Sequence, residues 1–161
     1  MNATTVSSTT TEKLFDPHAY FETRTGLYVN PTFKERIIPE QKKSMPYRGL
    51  DGIKSSILPR NMPDRKIIDE ILGGIKETRT HVFTLDQIAT IIDLQPNGKH
   101  GELLNDGDVN IFYVSINEVL FVISVYWSSC DKWLVDAWYL DEIQNHINVG
   151  TRVFRNTILT I

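Results

Sequence analysis

Cysteine is almost absent from this chain, since Cys130 is the only one in 161 residues. A single cysteine excludes an intramolecular disulfide and every zinc site that needs more than one thiolate. No two histidines stand four residues apart, the spacing that places two imidazoles on one helix face. No phosphate-binding or catalytic signature is complete either. The sequence therefore predicts neither a metal site nor another cofactor.

Long apolar runs are missing too. The most apolar stretch, residues 119–127, is interrupted by Ser124, whereas a membrane-spanning helix needs about 20 apolar residues. The N-terminus has no basic start followed by an apolar run, as a secretory signal would have. We therefore expect no membrane association and a cytoplasmic location.

The first residues have a composition that cannot form a packed core. Residues 1–11 contain seven serines or threonines and no charged residue, so they bury too little apolar surface to offset the entropy cost of ordering. We predict a disordered polar tail over residues 1–13. The remainder, residues 14–161, has the length of one domain.

Charge is distributed unevenly, although the formal net charge is only −3. Residues 1–80 hold 13 basic and 10 acidic residues, and residues 81–161 hold 4 basic and 10 acidic residues. Three prolines, Pro39, Pro46 and Pro59, fall within residues 39–62, and Pro63 follows them. At this spacing they interrupt regular structure, which predicts a long irregular basic segment over residues 39–62. Loops of this length without regular structure are uncommon in compact domains unless they are mobile or functional. The candidate binding residues of this segment are Lys42, Lys43, Arg48 and Lys54.

Helix signals are concentrated before residue 100. Residues 26–29 are typical of a short strand, and Asn30 followed by Pro31 predicts a helix that runs to about residue 38. Apolar residues at helical spacing predict a helix over residues 63–72. Thr84 and Gln87 form a capping-box pattern that predicts a helix over residues 85–94.

The second half of the chain is rich in β-branched and aromatic residues. Strands are predicted over residues 110–116, 119–127, 132–140 and 151–157. Short polar connections between them favour a consecutive antiparallel β-meander of about four strands. The second strand is apolar on both faces, which predicts a central position with cover on each side. A short strand and helices followed by such a sheet predict an α+β domain.

The loop at residues 96–102 groups side chains that suit acid/base chemistry. Histidine is a residue type suited to proton transfer, so His100 is the candidate acid or base and Glu102 its complement, while Lys99 is able to neutralise a phosphoryl charge. The spacing fails the phosphate-loop pattern, and a solvent-exposed connection accounts for the same residues. Arg152 and Arg155, on the last predicted strand, either join this loop as phosphate stabilisers or pair with Asp136.

Three functions fit these patterns. We favour a non-catalytic protein-interaction or regulatory module that uses the basic segment and the α+β surface, with a protein partner and, on charge, an acidic one. The alternative is a small ribonuclease-like phosphodiesterase acting on RNA, with His100 and Glu102 as the acid/base pair and Lys99 beside them. The third is a DNA-binding helix-turn-helix whose recognition helix would lie at residues 99–104.

Overall fold

The computed structural model describes residues 12–140, 142 and 147–157. The strands are β1 (Leu14–Phe15), β2 (Leu27–Val29), β3 (Met45–Pro46), β4 (Ile53–Ile57), β5 (Asn110–Ile116), β6 (Val119–Ser128), β7 (Lys132–Tyr139) and β8 (Arg152–Asn156). The α-helices are α1 (Pro17–Tyr20), α2 (Pro31–Arg36), α3 (Asp64–Glu70), α4 (Ile75–Thr78) and α5 (Leu85–Asp93). Single 3-10 turns lie at Ile38–Glu40 and Pro96–Gly98. The predicted α+β class is confirmed, and residues 1–11 of the predicted tail lie outside the described residues.

The main sheet has six strands in the order β2-β7-β6-β5-β8-β4. β5, β6 and β7 pair antiparallel in sequence, as predicted. The prediction of a four-strand antiparallel meander is wrong, because the main sheet is mixed and larger. The outer edge of β7 is occupied by β2, which runs parallel to it, and β8 pairs in parallel with β5 on the other side of the sheet. β4 then pairs antiparallel with β8 and forms the far edge.

The basic segment at residues 39–62 is less irregular than its prolines suggest. It contains the edge strand β4, the two-residue strand β3 and part of the first 3-10 turn. Pro46 and Pro59 flank β4 and do not interrupt it. Because Ile53 packs against the core, β4 is fixed to the rest of the sheet.

The two faces of the sheet bury separate apolar clusters. Phe121, Ile123 and Val125 of β6 face the larger cluster, which α5 and α2 cover. Val122, on the opposite face, packs in a smaller cluster with residues of α3 and of the chain before it. β6 is therefore covered on both sides, which confirms its predicted central position.

The helix that covers the larger cluster begins as its sequence predicts. The Gln87 side chain accepts a hydrogen bond from the backbone N–H of Thr84 at 3.1 Å, which is one half of the capping box. Similarly, Asn30 caps α2 by accepting from the N–H of Thr32 at 2.9 Å. Within the described residues, no helix is long and apolar enough to cross a membrane.

Candidate binding cleft at the sheet edge

The loop after α5 is built around one buried amide side chain. Gln95 is only 2% exposed, and its Nε2 donates to the backbone carbonyls of Lys99 at 2.7 Å and Leu103 at 3.0 Å. Its Oε1 accepts from the N–H of Leu103 at 2.7 Å. These bonds hold residues 99–103 in a non-helical path, so the recognition helix predicted at residues 99–104 does not form.

The glycines of this loop allow close packing. A Cβ atom at Gly101 would lie 2.5 Å from the Cδ atom of Gln95, and one at Gly98 would lie 2.5 Å from the Trp127 ring. Gly98 also has a positive φ of +69°, which disfavours other residues. The loop thus needs glycine for a structural reason that is independent of any bound phosphate.

The three candidate acid/base residues lie on the outside of this loop. Lys99, His100 and Glu102 are all exposed. Gln95 bonds the backbone of Lys99 and Leu103, which are the two ends of this part of the loop. The structure therefore places them on one loop and shows no hydrogen bond between their side chains.

Arg152 and Arg155 lie on opposite faces of β8, since they are three residues apart on a strand. Arg152 Nη1 donates to the backbone carbonyl of Glu102, so this arginine does meet the predicted loop. Arg155 Nη1 donates to the carbonyl of Ile71 at 3.4 Å on the other face. The predicted pairing with Asp136 is wrong, because β6 and β5 separate β7 from β8.

A mainly apolar cleft of about 390 Å³ lies between α5, the loop and the sheet edge. Its apolar lining residues are Leu50, Ile53, Ile91, Leu94 and Phe154. Lys54 of β4 and Glu102 of the loop also border it, so the fold brings together two predicted site residues that are distant in sequence. Leu94 is 65% exposed at this cleft, which leaves an apolar side chain available to a partner.

The chain before β4 is fixed to the start of α5 by two residues of that helix. The carboxylate of Asp86, which is 1% exposed, accepts the backbone N–H of Arg48 at 2.7 Å. Gln87 Nε2 donates to the carbonyl of Gly49 at 2.9 Å. The sequence identifies Gln87 only as a cap; its second contact joins elements that are far apart in sequence.

A second, more polar hollow of about 310 Å³ lies beside this attachment. Arg48, Asp51, Arg79 and the buried amides of Gln87 and Asn156 line it. The amides bond to each other, with Asn156 Nδ2 donating to Gln87 Oε1 at 3.0 Å. Their polar groups are therefore used to join β8 to α5.

The hydrogen bonds between β4 and β8 fall on alternate residues, as in any antiparallel pair. Beyond one end of β4, the N–H of Leu58 donates to the carbonyl of Thr151 at 2.9 Å. Beyond the other end, the N–H of Thr157 donates to the carbonyl of Gly52 at 2.9 Å. The same register places the β8-directed groups of β4 on its even-numbered residues.

The odd-numbered residues of β4 direct their backbone groups away from the sheet. The N–H of Ile53 turns back to the carbonyl of Leu50 at 3.4 Å. The outward N–H groups of Ser55 and Ile57 have no hydrogen-bond partner in the part of the chain that the structure describes. β4 therefore presents an open backbone edge next to the cleft.

Two basic residues face each other across β4 and β8. Lys54 is directly opposite Arg155 in the register, and like charges in that position repel. Neither residue has a carboxylate within ion-pair distance among the described residues. Lys42 and Lys43, which come earlier in the basic segment, are exposed and border neither cavity.

No family model matches the chain, and no curated protein or solved structure matches it either. Over the described ranges, no group of three or more His, Cys, Asp and Glu side chains is placed to hold a metal ion.

Proposed function

We propose that this protein is a non-catalytic protein-interaction module that binds its partner through the basic segment and the adjoining surface of the sheet. The observation that carries the proposal is the position of β4. It is at once part of the basic segment, an open edge of the main sheet and one wall of an apolar cleft. Exposed backbone groups, exposed apolar area and positive charge together suit the recognition of another chain.

The charge of this surface favours an acidic partner. Lys42, Lys43 and Lys54 are exposed, and none has an ion pair among the described residues. Opposite charges on a partner would accelerate association and select against basic surfaces. Screening by salt would weaken that effect.

The experiment compares capture of partners by two double variants. Lys42→Glu with Lys54→Glu reverses charge on the proposed surface, and Lys76→Glu with Lys132→Glu makes the same charge change elsewhere. Each chain is immobilised, exposed to a lysate of its native cells at low and at physiological salt, and the retained proteins are identified by mass spectrometry. We expect a partner that the native chain and the control variant retain and that the first variant loses. Equal recovery by all three chains would contradict the proposal.

The ribonuclease-like phosphodiesterase is the second candidate, and one contact favours it: Arg152 reaches the loop that carries His100 and Glu102. The arginine donates to the backbone of Glu102, however, so that part of its guanidinium is already engaged. An RNA cleavage assay tests this function directly. Cleavage by the native chain that His100→Ala abolishes would establish it, and the absence of cleavage would remove it.

A further inference from the structure

The open edge of β4 determines what kind of segment is able to bind there. The outward groups of Ser55 and Ile57 are spaced as in any strand, so an extended chain is able to pair with them by backbone hydrogen bonds. β4 has five residues and spans about 16 Å. This is enough to pair with a short strand from a partner.

The cleft selects the side chains on one face of that strand. Ile53 and Ser55 are opposite Asn156 and Phe154 in the register, so they share the face of the sheet that carries Phe154. Phe154, Ile53 and Ile91 line the cleft on that face. Apolar side chains at alternate positions of an added strand would therefore lie over it.

On the opposite face of the sheet, the charges of β4 and β8 determine which side chains of an added strand are favoured. Lys54 borders the cleft as a residue, but the register places its side chain beside that of Arg155 on this opposite face. An acidic side chain paired with Lys54 would reduce the repulsion between these two basic residues. A second copy of β4 would instead bring further positive charge to this face. The charges thus favour a different chain over self-pairing.

We propose that β4 accepts, as a seventh strand of the sheet, an extended segment of a partner protein in which apolar and acidic residues alternate. The apolar residues occupy the cleft, and the acidic residues lie beside Lys54 and Arg155. This inference rests on the proposed interaction function and specifies how the partner is bound.

The test uses the full chain and two sets of blocked seven-residue peptides. In one set an apolar residue (valine, leucine, isoleucine or phenylalanine) alternates with glutamate, and in the other it alternates with lysine. Affinity is measured by titration calorimetry, and amide hydrogen exchange is followed by NMR. We expect at least one glutamate peptide to bind at least tenfold more tightly than its lysine counterpart and to slow exchange of the amides of Ser55 and Ile57. No binding by any peptide, or equal binding by both sets, would overturn the proposal.

Two substitutions separate the backbone contribution from the charge contribution. Ser55→Pro removes an outward N–H and leaves the bonds to β8 intact, so we expect a loss of affinity of tenfold or more in a folded protein. Lys54→Glu should weaken binding of the glutamate peptide and strengthen binding of the lysine peptide, whereas Lys76→Glu, on α4, should change neither. A glutamate peptide that binds Ser55→Pro as tightly as the native chain would overturn strand addition.

The same variant distinguishes this inference from the proposed function. If the captured partner still depends on Lys42 and Lys54 but binds Ser55→Pro normally, the interaction function stands and strand addition fails. If the reversal at Lys42 and Lys54 has no effect on any captured protein, the interaction function itself fails.

Discussion

The main sheet ends in two edge strands, β2 and β4, whose outward backbone groups differ in whether they are hydrogen-bonded. At the β2 edge, the N–H of Leu27 donates to the carbonyl of Arg24 at 3.1 Å, and the N–H of Arg24 donates back to Leu27 at 2.9 Å. The N–H of Val29 donates to Thr23 Oγ1 at 3.1 Å. At the β4 edge, the corresponding groups of Ser55 have no such partner among the described residues.

This difference shows that an edge strand is closed by a few local contacts. Residues 23 and 24 close β2 because the chain turns back on itself just before that strand. β4 is approached by a loop that is attached to α5, and no backbone group of the described residues bonds the outer N–H groups of Ser55 and Ile57. Since natural sheets usually protect their edges, an edge left open beside an apolar cleft is the better candidate for recognition.

The largest expected effect comes from placing proline at matched positions on the two edges. Val29→Pro removes an N–H that is bonded to Thr23 and alters a side chain that is 2% exposed, so we expect a loss of about 2–3 kcal/mol in the free energy of unfolding. Ser55→Pro removes an unpaired N–H and should cost less than about 1 kcal/mol. Urea unfolding followed by tryptophan fluorescence measures both. Equal losses would show that the two edges do not differ as described.

The attachment of the β4 loop to α5 should have the next largest effect. Asp86→Ala leaves the N–H of Arg48 without its acceptor, which we expect to cost about 1–3 kcal/mol. It should also accelerate amide exchange in β4 and leave β2 unchanged. Asp86→Asn keeps an oxygen for this bond and serves as the control. Unchanged exchange in β4 would show that Asp86 does not position this edge.

A substitution of Tyr20 would test the stability of the region beside the closed edge. The Arg24 guanidinium of that edge lies 4.5 Å from the centre of the Tyr20 ring. Its hydroxyl donates to Asp93 Oδ1 at 2.8 Å and to the carbonyl of Ala89 at 3.1 Å. Burial, and then the bond to Asp93 and its charge, raise the pKa of Tyr20 well above its usual value. Tyr20→Phe should therefore cost about 1 kcal/mol at neutral pH.

The pH dependence of this substitution follows from the direction of the shift. A raised pKa in the folded state gives stability that is fully present below the unfolded value of about 10 and is lost as the pH rises above it. The difference in unfolding free energy between the native chain and Tyr20→Phe should narrow above about pH 10. A difference that stays constant up to about pH 11 would contradict this role.

The smallest effect is expected at an exposed ion pair that joins α2 to the end of β7. Arg36 Nη2 lies 2.7 Å from Glu142 Oε1, and the N–H of Tyr139 donates to Glu142 Oε2 at 2.8 Å. The hydrogen bond from Arg36, and then that from Tyr139, lower the pKa of Glu142. Because the pair is partly exposed, Glu142→Gln should cost less than about 1 kcal/mol at neutral pH.

The contribution of the Arg36–Glu142 pair to stability should disappear at acidic pH. A lowered folded pKa gives stability that is present above the unfolded value of about 4.3 and is lost as the pH falls through the folded value. Unfolding curves of the native chain and Glu142→Gln should therefore converge below about pH 4. Curves that remain equally separated would mean that the pair does not stabilise the fold.

Local sequence patterns predicted the strands and helices that are marked by strand-favouring composition or by a helix cap. The β-branched and aromatic residues between short polar connections in residues 110–139 identified β5, β6 and β7 with bounds that agree within a residue, and Thr84 with Gln87 located the start of α5. These signals are local because strand composition and helix capping involve residues that are close in sequence. Composition also indicated the basic segment from which β4 is formed.

Local sequence patterns predicted only some residues of the candidate site. Lys54 was identified as a candidate of the interaction module, whereas Glu102 and Arg152 were candidates of the phosphodiesterase. No local pattern indicated that Gln95 organises the loop at Glu102, or that Asp86 fixes the approach to β4. Buried amides and carboxylates with partners far along the chain leave no periodic signal.

The sequence by itself thus determined where the helices α2, α3 and α5 and the strands β5 to β8 form, and where charge accumulates. It did not indicate β4, because that strand lies in the segment that its prolines predicted to be irregular. The tertiary structure decided that β2 and β8 add in parallel to opposite sides of the β5–β7 sheet, that β4 becomes an open edge, and that Lys54 and Glu102 border one cleft. The physical reason is that pairing at a sheet edge depends on which edges other strands have already occupied. That competition involves the whole chain, so no segment determines it alone.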